Sequence, residues 1–477
     1  MEILFDCIIV GAGLAGLAAS EVLSRNGLKT LTIEQGGNAG GYAVNFNRGK
    51  YRFEASLHST SKRFFTILHD ELNLNIKPIQ IDGIVEIINK EGVTKVFATV
   101  ESISSFLLDE YPREKENINI FFKEMLNIAP LILDVAKYSN PITLLLKNPK
   151  YFTKLPALAK WLNKTMQDLL DHYFETKEIK RRIFMLIAFL VADPDALSAI
   201  VSIASMMDQF INGNFYPSGG SGAITTQLVN KVVKNGGLIE FNSPVTQIKR
   251  NNRQSYQLSC GDEPGRERIL KAKAIIYCAD LINLITSIMP SPRENRFLTR
   301  PVTRSLFNTW VGLNVDLSKK YELARIEIED FSFNTYSNID ASCCEPGHSI
   351  VTITDPFVRY EPFHQAFIQD GMQRGKSYYS LKKQITQSHV NRFLSLTKID
   401  SNMVDIIESA SPLTHQRLTR NQSGSIMGFE LNNDLIFNPI PKEINGVHIA
   451  GQWRTGGYEF SLMSGIEAAK DVMGEIA

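Results

Sequence analysis

Cys7-Ile8-Ile9-Val10-Gly11-Ala12-Gly13-Leu14-Ala15-Gly16 is the stretch whose reading decides the fold. The apolar run ending at Val10 reads as a short buried strand, and the glycines read as the turn into a helix. Gly11 permits the tight turn, Gly13 lets the backbone approach a pyrophosphate with no Cβ in the way, and Gly16 lets helix and strand pack closely. The helix runs to about Asn26 with Leu14, Leu17, Ala18 and Val22 on one face, and Asn26-Gly27 stops it. The free N–H groups and the positive end of the dipole at its start are suited to hold phosphates. A second strand, Thr30 to Ile33, ends at Glu34, 18 positions after Gly16. A carboxylate there accepts hydrogen bonds from a ribose diol and repels a 2′-phosphate. The glycines alone are a weak signal. Strand, helix, second strand and terminal acid together specify a dinucleotide-binding βαβ unit, and so an α/β fold.

Working outward, residues 36 to 60 are glycine-rich and expected to be weakly structured. Strand-like runs follow at Gly83 to Asn89 and Val93 to Thr99. From about 100 to 212 the pattern is mostly helical, with breaks at Pro112, Pro141, Pro156 and Pro194. A helix from about Ala223 to Asn235 precedes strands at Leu238 to Phe241, Val245 to Arg250 and Ala274 to Cys278. The stretch 302 to 385 is expected to alternate as strands, for example Phe307 to Val315 and Ser349 to Thr354. A strand, Val447 to Ala450, then a glycine loop and a helix from about Phe460 close the chain. The layout predicts discontinuous domains: 1–80, 213–290 and 420–477 for the nucleotide, 81–99 with 291–419 as a substrate-domain sheet, and 100–212 as its helical block.

Composition narrows the partners. The 51 basic and 50 acidic residues balance, so no global field exists to bind nucleic acid. Five cysteines without regular spacing argue against a disulfide framework, and adjacent Cys343 and Cys344 read as reduced thiols. No metal-ligand spacing is present, so no metal is expected. Met1 to Val10 reads as the first strand of the fold, with no cleavable signal. The longest apolar run, Ile183 to Ala192, is too short to span a bilayer.

Residues 33 to 58, Ile-Glu-Gln-Gly-Gly-Asn-Ala-Gly-Gly-Tyr-Ala-Val-Asn-Phe-Asn-Arg-Gly-Lys-Tyr-Arg-Phe-Glu-Ala-Ser-Leu-His, resemble the extended N-terminal motif of FAD-dependent amine oxidases and phytoene desaturases. Gly40-Gly41 match that family's glycine pair, and Tyr51 to Phe53 match the return of its hairpin. Gly446-Val-His-Ile-Ala-Gly-Gln-Trp-Arg-Thr-Gly-Gly457 is similar to its closing motif, and Tyr216-Pro217, Gly219-Gly220, Gly236-Gly237 and Val245 to its middle segment. Within the superfamily the chain looks most like the phytoene desaturase, carotenoid isomerase and retinol saturase branch. The inserted helical block, the Ser411-Pro412 to Gly428 region and His58 support that placement. Tyr42, Glu54, Ser56 and Gln452 depart from the commonest residues of the pattern.

The resemblance implies a Rossmann-like FAD-binding domain of the GR2 type with an inserted α+β substrate domain, whose helical block is suited to dock on a membrane. It implies FAD contacts at Gly11, Ala12, Gly13, Leu14, Ala15, Gly16, Glu34, Gln35, Gly40, Gly41, Tyr42, Ser56, Leu57, His58, Val245, Ala279, Gly451, Gln452, Gly457, Phe460 and Ser461. The implied activity is FAD-dependent desaturation, saturation or cis–trans isomerisation at a C–C or C=C bond of a lipophilic polyene, isoprenoid or acyl substrate. No second G-x-G-x-x-G is present, which favours oxygen, a quinone or a redox-neutral reaction over a bound nicotinamide. His58 and His415 are the candidate acid–base groups; packing roles stay open for both. His69, His172, His364 and His389 read as surface or packing residues. In the segment 142–164, Lys147, Lys150, Lys154, Lys160 and Lys164 alternate with leucines and aromatics, which reads either as a peripheral membrane contact of a cytoplasmic protein or as a solvated face. Ile183 to Met207 reads as a tunnel lining or as core. Two alternatives remain: an amine oxidase, with Trp453 and Tyr458 as its aromatic residues near the flavin, and a prenyl-binding protein of the GDP dissociation inhibitor type.

Overall fold

The computed structural model describes residues 4–135, 141–252, 255–261, 268–454 and 456–476. The opening strand is Leu4–Val10, so Met1 to Ile3 of the expected strand lie outside the described residues. It sits inside a sheet of eight strands. Thr30–Ile33 and Arg268–Tyr277 flank it in parallel, at pairs such as Val10 with Ile33 and Ile9 with Ile276. Leu238–Glu240 extends the parallel set beyond Thr30–Ile33, and Val447–Ile449 joins Arg268–Tyr277 in parallel. The antiparallel strands Ser255–Cys260 and Val245–Asn252 finish that side.

The parallel strands are apolar on both faces because both are covered. Cys7 and Ile9 pack among helix residues such as Leu17, Ala18, Leu228 and Leu462. Ile8 and Val10 pack with Leu258, Leu284 and Trp453 on the other side. The helix Leu14–Arg25 lies against both Ser221–Lys234 and the last helix, Tyr458–Ile476. The approach to the last helix is close: a Cβ on Gly465 would stand 2.1 Å from the Ala15 carbonyl oxygen.

A second sheet has seven strands in the order Val404–Ala410, Phe307–Leu313, Ser349–Asp355, Phe331–Asn334, Arg325–Ile328, Gly83–Asn89, Gly92–Phe97. It is antiparallel except where Arg325–Ile328 runs parallel to Gly83–Asn89. The helical block covers part of it, with Val85, Ile87 and Val96 packed against Phe106, Phe121 and Leu186. Residues 36 to 60 hold more order than expected: Asn45–Arg48 and Tyr51–Glu54 form a hairpin.

The expectation of strands through 302–385 fails in its second half. Glu361–Gln369 and Lys376–Thr397 are helices. The Asp370 carboxylate accepts from the backbone N–H groups of Ser377 and Tyr378 and so satisfies the free donors of the second helix. That helix buries only Tyr378, Val390, Phe393 and Thr397, so its polar composition carries little helical periodicity.

Among the described residues no helix is long and apolar enough to cross a membrane. The segment 142–164 is also not one continuous amphipathic helix. It is divided among Pro141–Lys147, a 3₁₀ turn at Pro149–Lys154 and Leu155–Ala159. Lys154 donates to the Asn127 carbonyl, and Lys160 lies over the rings of Trp161 and Tyr173, so these two cations face the protein itself. The side chains of Ile142 and Thr143 lie outside the described residues.

Candidate functional site

The glycine loop shows three different demands on a side chain. Gly11 has φ +99°, and a Cβ there would come within 3.3 Å of the Cys278 carbonyl oxygen. A Cβ on Gly16 would stand 1.9 Å from the Gly11 carbonyl oxygen, so this glycine allows helix and turn to touch. Gly13 differs: a Cβ there would meet no atom within 4 Å. It caps the helix Leu14–Arg25 with no side-chain partner for the first-turn N–H groups. Gly13, Leu14 and Ala15 line a cavity of about 1340 Å³. The Glu34 carboxylate accepts from the N–H groups of Ala12, at 2.9 Å, and Gly36, at 2.7 Å, and faces the same cavity with lone pairs to spare.

Every other residue expected at the cofactor is on the wall of this cavity except Ala12 and Gly16, which are buried behind the loop. The wall is tied across large sequence separations. Gly40 donates to the Ala12 carbonyl, and the Tyr42 hydroxyl to the carbonyl oxygens of Gly424 and Ser425. Ser56 Oγ donates to the Tyr42 carbonyl at 2.8 Å and lies 2.6 Å from the Tyr458 hydroxyl. Gln35 reaches the Thr419 carbonyl, and Gln452 the Ser425 carbonyl. Beneath them Glu54 is buried and accepts from Ser221 (N–H and hydroxyl), Asn45 and Tyr216. Burial pushes its carboxyl above the ordinary range, and these bonds oppose the shift.

Both candidate histidines face the cavity. His58 Nδ1 lies 2.7 Å from the Tyr336 hydroxyl, and Tyr336 stacks on Tyr216. Burial, helped by the nearby Arg325 charge, pulls His58 down to about 4, which leaves the imidazole neutral at pH 7. His415 lies on the helix Pro412–Thr419, whose start is fixed by a capping box between Ser411 and Thr414. It is 6% exposed, its ring is 5.9 Å from that of Tyr42, and its Nε2 has no hydrogen-bond partner. Burial, then Lys382, pulls it to about 4.

Two polar wall residues, Arg325 and Tyr336, were not singled out from the sequence, and His389, expected at the surface or in packing, also stands on the cavity wall. His389 has its Nε2 3.3 Å from Asp355 and its Nδ1 3.0 Å from the Thr309 hydroxyl. Alternation in Arg325-Ile326-Glu327-Ile328 places the two charges opposite two core isoleucines, but sequence does not show that their face borders a cavity. His69 is exposed, while His172 and His364 pack on Trp161 and Tyr360.

Ile183 to Met207 is divided by face between the core and the cavity wall. Ile183, Ile187, Ile203, Met206 and Met207 are core. Phe184, Met185, Phe189, Val201 and Ala204 line the cavity. Trp453 and Tyr458 go separate ways. Trp453 is buried against Phe429 and bonded to Asn421, whereas Tyr458 packs on Phe64, and no ring contact joins the two. All five cysteines are free thiols.

The family model for flavin containing amine oxidoreductase matches residues 14–319. All-trans-retinol 13,14-reductase of Danio rerio is 19% identical over 89% of this chain and 77% of its own length. The chloroplastic prolycopene isomerase of Daucus carota is 24% identical over 88% of this chain and 71% of its own length. Among solved structures, a putrescine oxidase variant superposes with a TM-score of 0.68 at 15% identity, covering 100% of both chains.

Proposed function

This chain belongs to the flavin containing amine oxidoreductase family and is an FAD-dependent oxidoreductase; we propose that it acts on a C–C or C=C bond of a hydrophobic polyene, isoprenoid or acyl substrate, by desaturation, saturation or cis–trans isomerisation. The observation that carries this reading is the continuity of one cavity from the glycine loop to the apolar wall of Phe184, Met185, Phe189 and Val201. The similarity to a retinol reductase and a prolycopene isomerase supports it.

The residues present fit FAD. Gly13 leaves open a cradle that a Cβ would fill, the helix behind it offers uncapped N–H groups, and His415 on the same wall has a buried Nε2 without a partner. In this reading Gly11 and Gly13 to Ala15 hold the pyrophosphate, Glu34 the ribose, and Val245 the adenine. Gly40 to Tyr42, Ser56 to His58, Gly451-Gln452, Gly457, Phe460 and Ser461 line the remainder. Bound FAD supplies the hydride acceptor or donor. The chain supplies position, exclusion of water by the apolar wall, and proton control. His58 Nδ1 and the Tyr336 hydroxyl share one hydrogen bond; in the Nδ1–H form the ring donates to Tyr336 and leaves Nε2 as an acceptor, and burial keeps that ring neutral at pH 7. We assign residues 1–80, 213–290 and 420–477 to the FAD-binding domain, 81–99 with 291–419 to the substrate sheet, and 100–212 to its helical block.

An amine oxidase reading shares the family and the fold, but Trp453, although on the cavity wall, is held against Phe429 and bonded to Asn421 and makes no ring pair with Tyr458. The test is product analysis with the flavin-loaded enzyme on polyene alcohols, carotenes, acyl lipids and a panel of amines. Conversion of a lipid without peroxide from amines is expected. Peroxide release from an amine with every lipid unchanged contradicts the proposal.

A further inference from the structure

The geometry points to a carboxylate-binding subsite at Arg325, so that the lipophilic substrate of this cavity carries an acidic head group. The inference rests on the reading of the cavity as a site for a hydrophobic substrate.

Among the described residues six arginines line the cavity, and five are paired or exposed. Arg304 is paired with Asp193, Arg392 with Asp330 and Arg454 with Glu467. Arg181 and Arg420 are exposed. Arg325 is half-buried, on the central strand Arg325–Ile328, and makes neither a side-chain hydrogen bond nor an ion pair within 4 Å among the described residues. The acid that acts on it, Glu327, stands two positions along the same strand and is taken by Arg182 at 2.6 Å. Met185, Leu186 and Ile84 are its apolar neighbours. Burial holds its pKa below the ordinary arginine value, Glu327 partly opposes this, and the Arg182 charge adds to the lowering.

A cation held among apolar side chains without a counter-ion is costly, and an anionic ligand removes that cost. Neutral His58 adds no competing charge. In its Nδ1–H form His58 donates to the Tyr336 oxygen, which leaves the Tyr336 O–H as a second donor beside Arg325. One planar guanidinium with two parallel N–H groups matches a carboxylate in shape and in charge. A phosphate dianion would call for a second free cation beside Arg325, and its neighbour Arg182 is already paired with Glu327.

The test titrates flavin-loaded enzyme with two matched pairs, retinoate against retinol and oleate against oleyl alcohol, and with oleyl phosphate. Binding is read from the perturbation of the flavin spectrum and the quenching of tryptophan emission. In the wild type each acid should bind about tenfold or more tighter than its alcohol. R325M should abolish that preference and R325K should keep part of it. Equal binding of acid and alcohol by the wild type, or an acid preference that survives in R325M, overturns the subsite. So does oleyl phosphate binding more tightly than oleate. Because the wild-type comparison stands alone, a variant that fails to fold does not shield the inference. If alcohols bind and acids do not, the subsite falls and the hydrophobic-substrate reading stands. If none of the lipids binds, both fall.

Discussion

Gly13 and Gly16 stand three positions apart and answer an added side chain in opposite ways. At Gly13 the φ of −72° suits any residue and a Cβ enters open space. G13V should therefore fold and bind FAD at least about tenfold more weakly, having lost one or two phosphate–amide hydrogen bonds. G16A places a methyl group 1.9 Å from a backbone oxygen and should cost upwards of about 3 kcal/mol of stability. Thermal melting with and without added FAD separates the two, and a G16A protein as stable as wild type contradicts the packing. His415 gives a pH prediction. Its folded pKa of about 4 lies below the ordinary histidine value of 6.5. Its contribution is thus complete above pH 6.5 and is lost as the pH falls toward 4, because the unfolded chain takes up the proton first. The loss is on the order of 3 kcal/mol. H415N should narrow the fall in melting temperature between pH 7.5 and 5, with His58 maintaining the rest; an unchanged fall counts against burial as the cause. The glycines and Glu34 were legible in sequence because their demands are local. Arg325 and Tyr336 were not, and His389 was read as a surface or packing residue, since what makes all three notable is a cavity wall assembled from residues far apart in the chain.

At the scale of elements, the helix Ala199–Asn212 has one face in the core and one on the cavity. Ile203 is fully buried and Ala204 borders the open space. I203A should lower stability by about 3 kcal/mol and leave the flavin site intact. A204W should leave stability nearly unchanged and obstruct long substrates, seen as a raised KM or lost turnover with a normal flavin spectrum. If A204W destabilises as much as I203A, the cavity does not reach this helix. Periodicity showed that 183–207 was apolar but not which face met which neighbour, and here both readings apply. The helix Lys376–Thr397 was missed for the reverse reason. Its few buried positions give little periodicity, and its start depends on Asp370, six positions upstream. In 142–164 the spacing of lysines was plain, but their partners, Asn127, Trp161 and Tyr173, lie outside or at the end of the segment.

At the scale of the molecule, two sheets meet across one cavity. The parallel strands of the first sheet present the glycine loop, and the second sheet with its helical block presents the apolar wall. The first half was readable because motif and spacing occur in order along the chain. The cavity was not, because its wall draws on residues from Val10 to Ser461. The central claim is that the bound flavin and a lipophilic chain meet in this space. Anaerobic photoreduction of the FAD-loaded protein, followed by mixing with polyenes and acyl lipids, tests it most directly, with the visible flavin band and the lipid products followed together. The account predicts that a lipid is saturated as the flavin band returns, or isomerised while the flavin stays reduced, or, from the oxidised protein, desaturated as the band bleaches. A protein that takes up no FAD, or one whose flavin and lipids are both untouched by mixing, contradicts it.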